Sequence, residues 1–385
     1  MRVLFLNYEY PPLGGGAANA TEYLLREYSQ DPTLSVDLVT SSPSTERQEI
    51  WLGDRICIHA LPIGKNGNNL HHQSQKDLLV YSFRAYWYAK KLLRTNKYDV
   101  IHAFFGVPCG VLAMQLGKQF GIPYIVSLRG ADVPGYSERF SFVYTILTPL
   151  IRRVWKKALR VIANSRGLRE LALLSLPQQE IGIIPNGVDT TRFSPKQASV
   201  AEDEWIITSG ATRLTARKGL HLVIEALPAL LRINPRVIFE IMGDGASEER
   251  LRLRAEELGV SERVRFLGRI ASAETARYYQ RAKVFVLPSA NEGMSNALLE
   301  ALASGLPAVV TDTGGSNELV VEGKNGFVIK RESKAIEEAV GYLLAHEEER
   351  KLMGKASRVR AEAQSWQAVA NAYQELYLEA TSQKI

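Results

Sequence analysis

The chain has 385 residues, 46% apolar and 23% charged, with a formal net charge of +6. These values exclude a disordered chain and a single small core, and they suit two domains of ordinary size. The surplus of cations favours anionic partners without choosing among phosphorylated ligands, acidic headgroups and nucleic acid.

Short apolar strands alternate with longer amphipathic helices along the chain. In the first half, strands are read near 2–7, 35–40, 56–60, 99–103, 123–127, 160–164 and 181–184, and helices near 17–30, 77–96, 107–120, 139–159 and 166–174. The alternation then restarts, with strands near 205–210, 236–242, 263–267, 283–288, 307–311 and 326–329. Its helices are read near 217–233, 247–258, 272–281, 295–304 and 334–345. Two such series predict two doubly wound α/β domains with parallel sheets, and ligands at the carboxyl ends of the strands. Pro185-Asn186-Gly187 supplies turn signals for a boundary, and the polar stretch 194–204 reads as a linker. The domains are expected over 1–192 and 193–365, with a final helix over 366–385.

Cys57 and Cys109 stand far apart and outside any Cys/His cluster. A disulfide framework or zinc site is therefore not expected, and a reducing cytosol is the expected location. No signal peptide is read, because the apolar segment Val3–Leu6 is only strand-length and polar Asn7 follows it. No apolar run approaches the roughly 18–20 residues that span a bilayer.

The densest chemistry lies between Asn291 and Val310, after the strand ending Val286-Leu287. Ser295 or Asn296 is a candidate helix cap, and the helix start would direct backbone N–H groups at an anion. Glu292 precedes that helix and Glu300 lies inside it, roughly 8–12 Å away. A diphosphate on the helix start would leave one carboxylate on each side. The bland alternative is a loop charge and a solvated helix residue; the intervening Gly293-Met294-Ser295-Asn296 favours the site. Arg213 and Lys218, in the turn after the first strand of the second half, can clamp a diphosphate or merely be solvated. Gly14-Gly15-Gly16 and Gly243-Asp244-Gly245 are either close-approach loops or plain tight turns.

Together these residues resemble the retaining glycosyltransferases of family 4, which have the GT-B fold. Glu292 and Glu300 match E-x7-E, and Arg213 with Lys218-Gly219 matches R-x4-K-G. Ile184-Pro185-Asn186-Gly187-Val188-Asp189 matches the hinge. The resemblance implies two Rossmann-like domains facing each other across a cleft, with no cofactor beyond the nucleotide-sugar co-substrate; no DxD metal motif is read, so no obligatory metal is expected. It implies that Arg213 and Lys218 neutralise the donor diphosphate, and that Glu292 holds sugar hydroxyls with help from Gly293, Met294 and Ser295. It also implies that Glu300 takes the ribose, that Arg269 and Ile270 flank the base, and that Gly15 and Gly16 close over the donor. The acceptor is unassigned, and nucleic acid is not an expected partner.

The first half departs from the family pattern. Arg129-Gly130-Ala131-Asp132 replaces His-Gly-x-Asp, and Phe104 replaces the second histidine of an H-x-H pair that begins at His102. Arg129 is then either a structural ion-pair partner or a contact for an anionic acceptor, and Asp132 either a catalytic residue or a turn cap. The basic segment 145–163 carries an apolar stripe, which suits a core-facing helix or contact with an anionic membrane surface at the cytoplasmic face. Two other functions share the fold class. A nicotinamide oxidoreductase would want GxGxxG and an acidic residue closing the second strand, which here ends Val39-Thr40. A non-catalytic sugar-nucleotide-binding module would not need both Glu292 and Glu300.

Overall fold

The computed structural model describes residues 1–65, 70, 73–136, 141–195, 204–271, 274–292, 294–313 and 315–382. Its first half runs β1 (Arg2–Leu6), α1 (Gly16–Ser29), β2 (Ser35–Ser42), β3 (Gln48–Leu52), β4 (Ile56–Pro62), α2 (Gln75–Thr95) and β5 (Val100–Phe104). It continues through α3 (Val111–Phe120), β6 (Tyr124–Ser127), α4 (Ser141–Lys157), β7 (Arg160–Ala163), α5 (Arg166–Ser175) and β8 (Gly182–Ile183). The second half runs β9 (Trp205–Arg213), α6 (Leu220–Ile233), β10 (Val237–Asp244), α7 (Glu248–Glu257), β11 (Val264–Phe266), α8 (Thr275–Arg281) and β12 (Val284–Leu287). It ends with α9 (Asn296–Ala303), β13 (Ala308–Thr311), β14 (Gly326–Ile329), α10 (Ser333–Ala345), α11 (Glu347–Glu362) and α12 (Trp366–Ser382).

The chain folds as two compact units, Met1–Asn186 with Trp366–Ile385, and Gly187–Ser365. The division falls at Asn186/Gly187 rather than after residue 192. Val188 already bonds the second unit, donating its N–H to Gln364 O at 2.9 Å, and Phe193 is buried in that unit's core. Most of the predicted linker 194–204 lies outside the described residues.

The first sheet has the order β3-β4-β2-β1-β5-β6-β7-β8. Strands β1, β5 and β6 are buried on both faces, as parallel sheets sandwiched by helices require. Right-handed crossovers put α2, α3 and α4 on one face, and the reversed step from β1 to β2 puts α1 on the other. Helix α12 packs on α1, with Tyr23 stacked on Trp366 and Tyr28 Oη donating to Ala370 O. One strand escaped the sequence reading. Strand β3 pairs antiparallel with β4 at the sheet's edge, and its exposed Gln48-Glu49-Ile50-Trp51 carries no burial signal.

In α4 the apolar stripe faces the core: Ile151, Val154 and Trp155 are buried, while Arg152, Arg153, Lys156 and Lys157 are exposed. The stripe is thus spent on the fold from Ile151 to Trp155, while Ile146 nearer the helix start is 63% exposed.

The second sheet has the order β11-β10-β9-β12-β13-β14, all parallel. Numbered within the unit this is 3-2-1-4-5-6, and the order reverses between β9 and β12.

Candidate active site

Arg213 closes β9 and Lys218 follows in a short 3₁₀ turn, while Glu292 follows β12. All three therefore arise at the point where the strand order reverses, where the flanking loops part and leave a crevice. Gly219 makes this meeting close. Its φ is +70°, and a Cβ there would lie 2.1 Å from the Pro288 carbonyl oxygen. Any side chain would push the β9 loop off the β12 loop. Further bonds stitch the two loops: Ala290 N–H donates to Arg217 O at 2.8 Å, and Arg331 bridges them from beyond β14, Nε to Pro288 O at 3.2 Å and Nη2 to Ala216 O at 3.4 Å. The Thr311 hydroxyl holds Ser289 O at 2.5 Å.

The result is an ion pair at the crevice. Lys218 Nζ donates to Glu292 Oε1 at 2.6 Å, and Ser289 Oγ donates to the same oxygen at 2.8 Å. Both charges are largely shielded, with side-chain exposures of 15% and 8%. Burial works to raise the Glu292 carboxyl, but Lys218, Ser289 and Arg217 outweigh it and hold the group below its ordinary value. Glu292 is thus an ionised acceptor at neutral pH. Lys218 carries three N–H donors, so an incoming phosphate can share it.

Ser295 caps α9, its Oγ accepting from Leu298 N–H at 3.4 Å, and both Ser295 and Met294 are buried. The positive end of that helix dipole is directed at the crevice beside Glu292. Gly293 lies outside the described residues. Glu300 sits inside α9, accepting from the Tyr279 hydroxyl at 3.2 Å. Burial dominates here and pushes its carboxyl up to about 7, with Tyr279 and Arg192 opposing. Tyr279 reaches it because Gly210 has no side chain; a Cβ there would meet the Tyr279 hydroxyl at 2.4 Å. Ile270 is half-buried against the unit's core, and exposed Arg269 pairs with Asp244 at 3.2 Å.

The first unit treats its polar groups differently. His102 is fully buried, with Nδ1 2.6 Å from the Tyr377 hydroxyl and Nε2 2.7 Å from Ser127 Oγ. Burial and the nearby charge of Arg129 push its imidazole well below the ordinary value. Asp132 is buried too, accepting from the N–H groups of Gly106, Arg129 and Gly130 at 2.7–3.0 Å. Burial raises this carboxyl against those bonds. Arg129 lies over the Phe104 ring at 5.0 Å and donates to Asn186 Oδ1 at 3.0 Å. The two departures from the family pattern thus touch each other: guanidinium and ring replace two imidazoles. Gly15 and Gly16 open α1, where Gly15 N–H donates to Glu9 Oε2 at 3.2 Å.

Among the described residues, Asp37, Cys57 and His59 form a group with metal-ligand atoms close together. Asp37 is already engaged by Arg2 at 2.7 Å, by the Tyr98 hydroxyl and by His59. The group reads as a neutralised structural network.

The model of the group 1 glycosyl transferases matches residues 190–360, and that of glycosyltransferase family 4 matches residues 14–192. A GDP-mannose-dependent α-(1-6)-phosphatidylinositol monomannoside mannosyltransferase of Mycolicibacterium smegmatis is 33% identical over 282 residues, covering 68% of this chain and 72% of that one. The chain belongs to the group 1 glycosyltransferases of family 4. Solved glycosyltransferases share its GT-B fold. The sucrose-phosphate synthase of Thermosynechococcus elongatus has a TM-score of 0.83 at 21% identity, with 100% of both chains covered. Anabaena HepE, solved with UDP and glucose, has a TM-score of 0.74 at 18% identity, covering 98% of this chain and 99% of that one. As a group 1 glycosyltransferase, the protein moves a sugar from a sugar nucleotide.

Proposed function

We propose that the second unit holds a nucleotide-diphosphate sugar at its strand-order reversal and transfers the sugar, with retention, to an acceptor hydroxyl in glycan, glycolipid or cell-surface polysaccharide synthesis. The observation that carries this reading is the Lys218–Glu292 pair beside the start of α9, a shielded cation and an ionised acceptor side by side. In the proposal, Arg213, Lys218 and the helix start take the diphosphate. Glu292 accepts sugar hydroxyls, Glu300 accepts ribose hydroxyls, and Ile270 borders the base.

Breaking the sugar–phosphate bond puts positive character on the anomeric carbon and negative charge on the leaving oxygen. Cations fixed at that oxygen oppose charge that develops only as the bond breaks, so they lower the barrier rather than merely tightening binding. The leaving oxygen, pinned on the face it departs, then takes the proton from an acceptor arriving on that face. This step asks for no separate base and no metal. The state of the first unit supports it: Arg129 offers only donors, while His102 and Asp132 are buried and bonded. The test is a transfer and thermal-shift screen against UDP-, GDP- and ADP-hexoses. One donor should stabilise the protein and yield free nucleoside diphosphate. Stabilisation by none of them would remove the reading.

A further inference from the structure

Helix α2 belongs to no part of the donor chemistry, yet it is built unlike an ordinary surface helix. Tyr81, Ala85, Ala89 and Leu93 form its buried stripe. The opposite side should then be polar. Instead, Leu79, Phe83 and Trp87 are 71%, 68% and 54% exposed. They recur every four residues, which stacks them in a row about 12 Å long. Phe83 and Trp87 meet edge to face at 6.5 Å, so two of the three form a joined aromatic surface.

The charges around this row have one sign. With about 100° between successive residues, Lys76, Leu79, Phe83, Trp87, Lys90 and Arg94 fall within an arc of about 80°. Lys90 lies over the Trp87 ring at 5.1 Å. Arg84 and Lys91 flank the arc. The helix carries one carboxylate, Asp77, which is consumed in the capping box with Ser74 and by Lys65. A large apolar row bordered by cations, with no free acid, is what a helix lying in the interface of an anionic bilayer presents. The apolar side chains enter the acyl boundary while the Lys and Arg head groups stay at the level of the lipid phosphates. A protein partner would not require one sign of charge along the whole row.

The neighbouring helices extend the same surface. Helix α2 packs on α3, and α3 on α4, all on one face of the sheet. The exposed Arg152, Arg153, Lys156 and Lys157 of α4 add cations there. In α4 these cations flank the inward-facing Ile151, Val154 and Trp155, so that stretch supplies attraction without insertion.

We propose that the α2 face is the surface by which this glycosyltransferase sits on anionic membranes, with Phe83 and Trp87 inserted. The full-length protein is sedimented at low salt with phosphatidylcholine vesicles and with vesicles that also contain phosphatidylglycerol. Binding should require the anionic lipid. It should fall roughly tenfold or more in Phe83→Glu/Trp87→Glu, and about fivefold for each charge lost in Lys90→Gln and Lys91→Gln. Phe83, Trp87 and Lys91 are exposed and Lys90 lies half-buried over surface rings, so the variants should melt close to the parent. Vesicles with brominated acyl chains should quench the parent's tryptophan emission, and Trp87→Phe should lose most of that quenching while still binding. Two results would overturn the proposal: binding that ignores phosphatidylglycerol or the double variant, or a concentration-dependent dimer that the double variant dissolves, which would make a second copy the occupant.

Discussion

The carboxyl edges of the two sheets are built on the same plan and furnished in opposite ways. At the edge of the second sheet, Lys218 and Glu292 keep their charges at a crevice and bond chiefly each other. At the edge of the first, His102, Asp132 and Arg129 are all engaged by the scaffold. A shielded ion pair can be shared with a ligand at little rearrangement. A buried imidazole with both nitrogens bonded must break the fold to act. On the proposed reading one edge serves anion chemistry, while the polar groups of the other hold backbone and helices in register.

The largest effects should fall on the second unit. Glu292→Gln keeps the shape and the Ser289 bond but loses the charge. We expect turnover to drop by about 10²–10³-fold with the protein folded, and Lys218→Ala and Arg213→Ala to match it. Steady-state rates with melting curves check this. A near-normal rate in any one of these variants would remove that residue from the site. Lys218→Ala should also cost stability, since it leaves the Glu292 carboxylate buried without its partner.

Glu300 offers a gentler probe. Its carboxyl titrates at about 7 in the free protein, and ribose hydroxyls donate more strongly to the ionised form. Nucleoside diphosphate affinity should therefore rise with pH, by up to about tenfold between pH 6 and 8. Glu300→Gln should flatten that dependence. In the unliganded protein the sign reverses. The group titrates near 4.5 in the unfolded chain, so its raised folded value makes stability decline as pH climbs from there to about 7. Calorimetry of binding and melting curves over the same range measure both.

The smallest catalytic effect should come from the first unit. His102→Ala takes one partner from each of the Ser127 and Tyr377 hydroxyls and leaves Ser127 its bond to Tyr373, so it should lower the melting temperature by a few degrees. It should leave the pH–rate profile unshifted. A lost acidic limb in that profile would instead make His102 a base and erase the contrast between the edges.

The site proposed for the second unit was legible in the sequence because its parts are local. Strand, turn and helix start follow one another within a few residues, and Glu292, Ser295 and Glu300 lie on one short segment. What the sequence could not carry is contact across the chain. Ser289 and Tyr279, which orient the two glutamates, look like an ordinary strand end and an ordinary helix tyrosine. The Arg129–Phe104 contact joins two departures that look unrelated at a separation of 25 positions (129 − 104). Strand β3 was invisible because exposure on both faces leaves no periodicity. The aromatic row on α2 was equally hidden. Periodicity shows that a helix has apolar residues, but with both sides apolar only the fold tells which stripe the core takes.

The contrast between the two edges reduces to where the acceptor's proton goes. If the leaving diphosphate takes it at the second unit's edge, attack and departure share one face. Proton NMR of the first-formed product, recorded before anomers equilibrate, reads this directly. The account predicts an anomeric coupling that matches the donor's configuration. An inverted coupling would contradict it, because inversion needs a base from the opposite side, a task for which His102 and Asp132 are buried and already bonded.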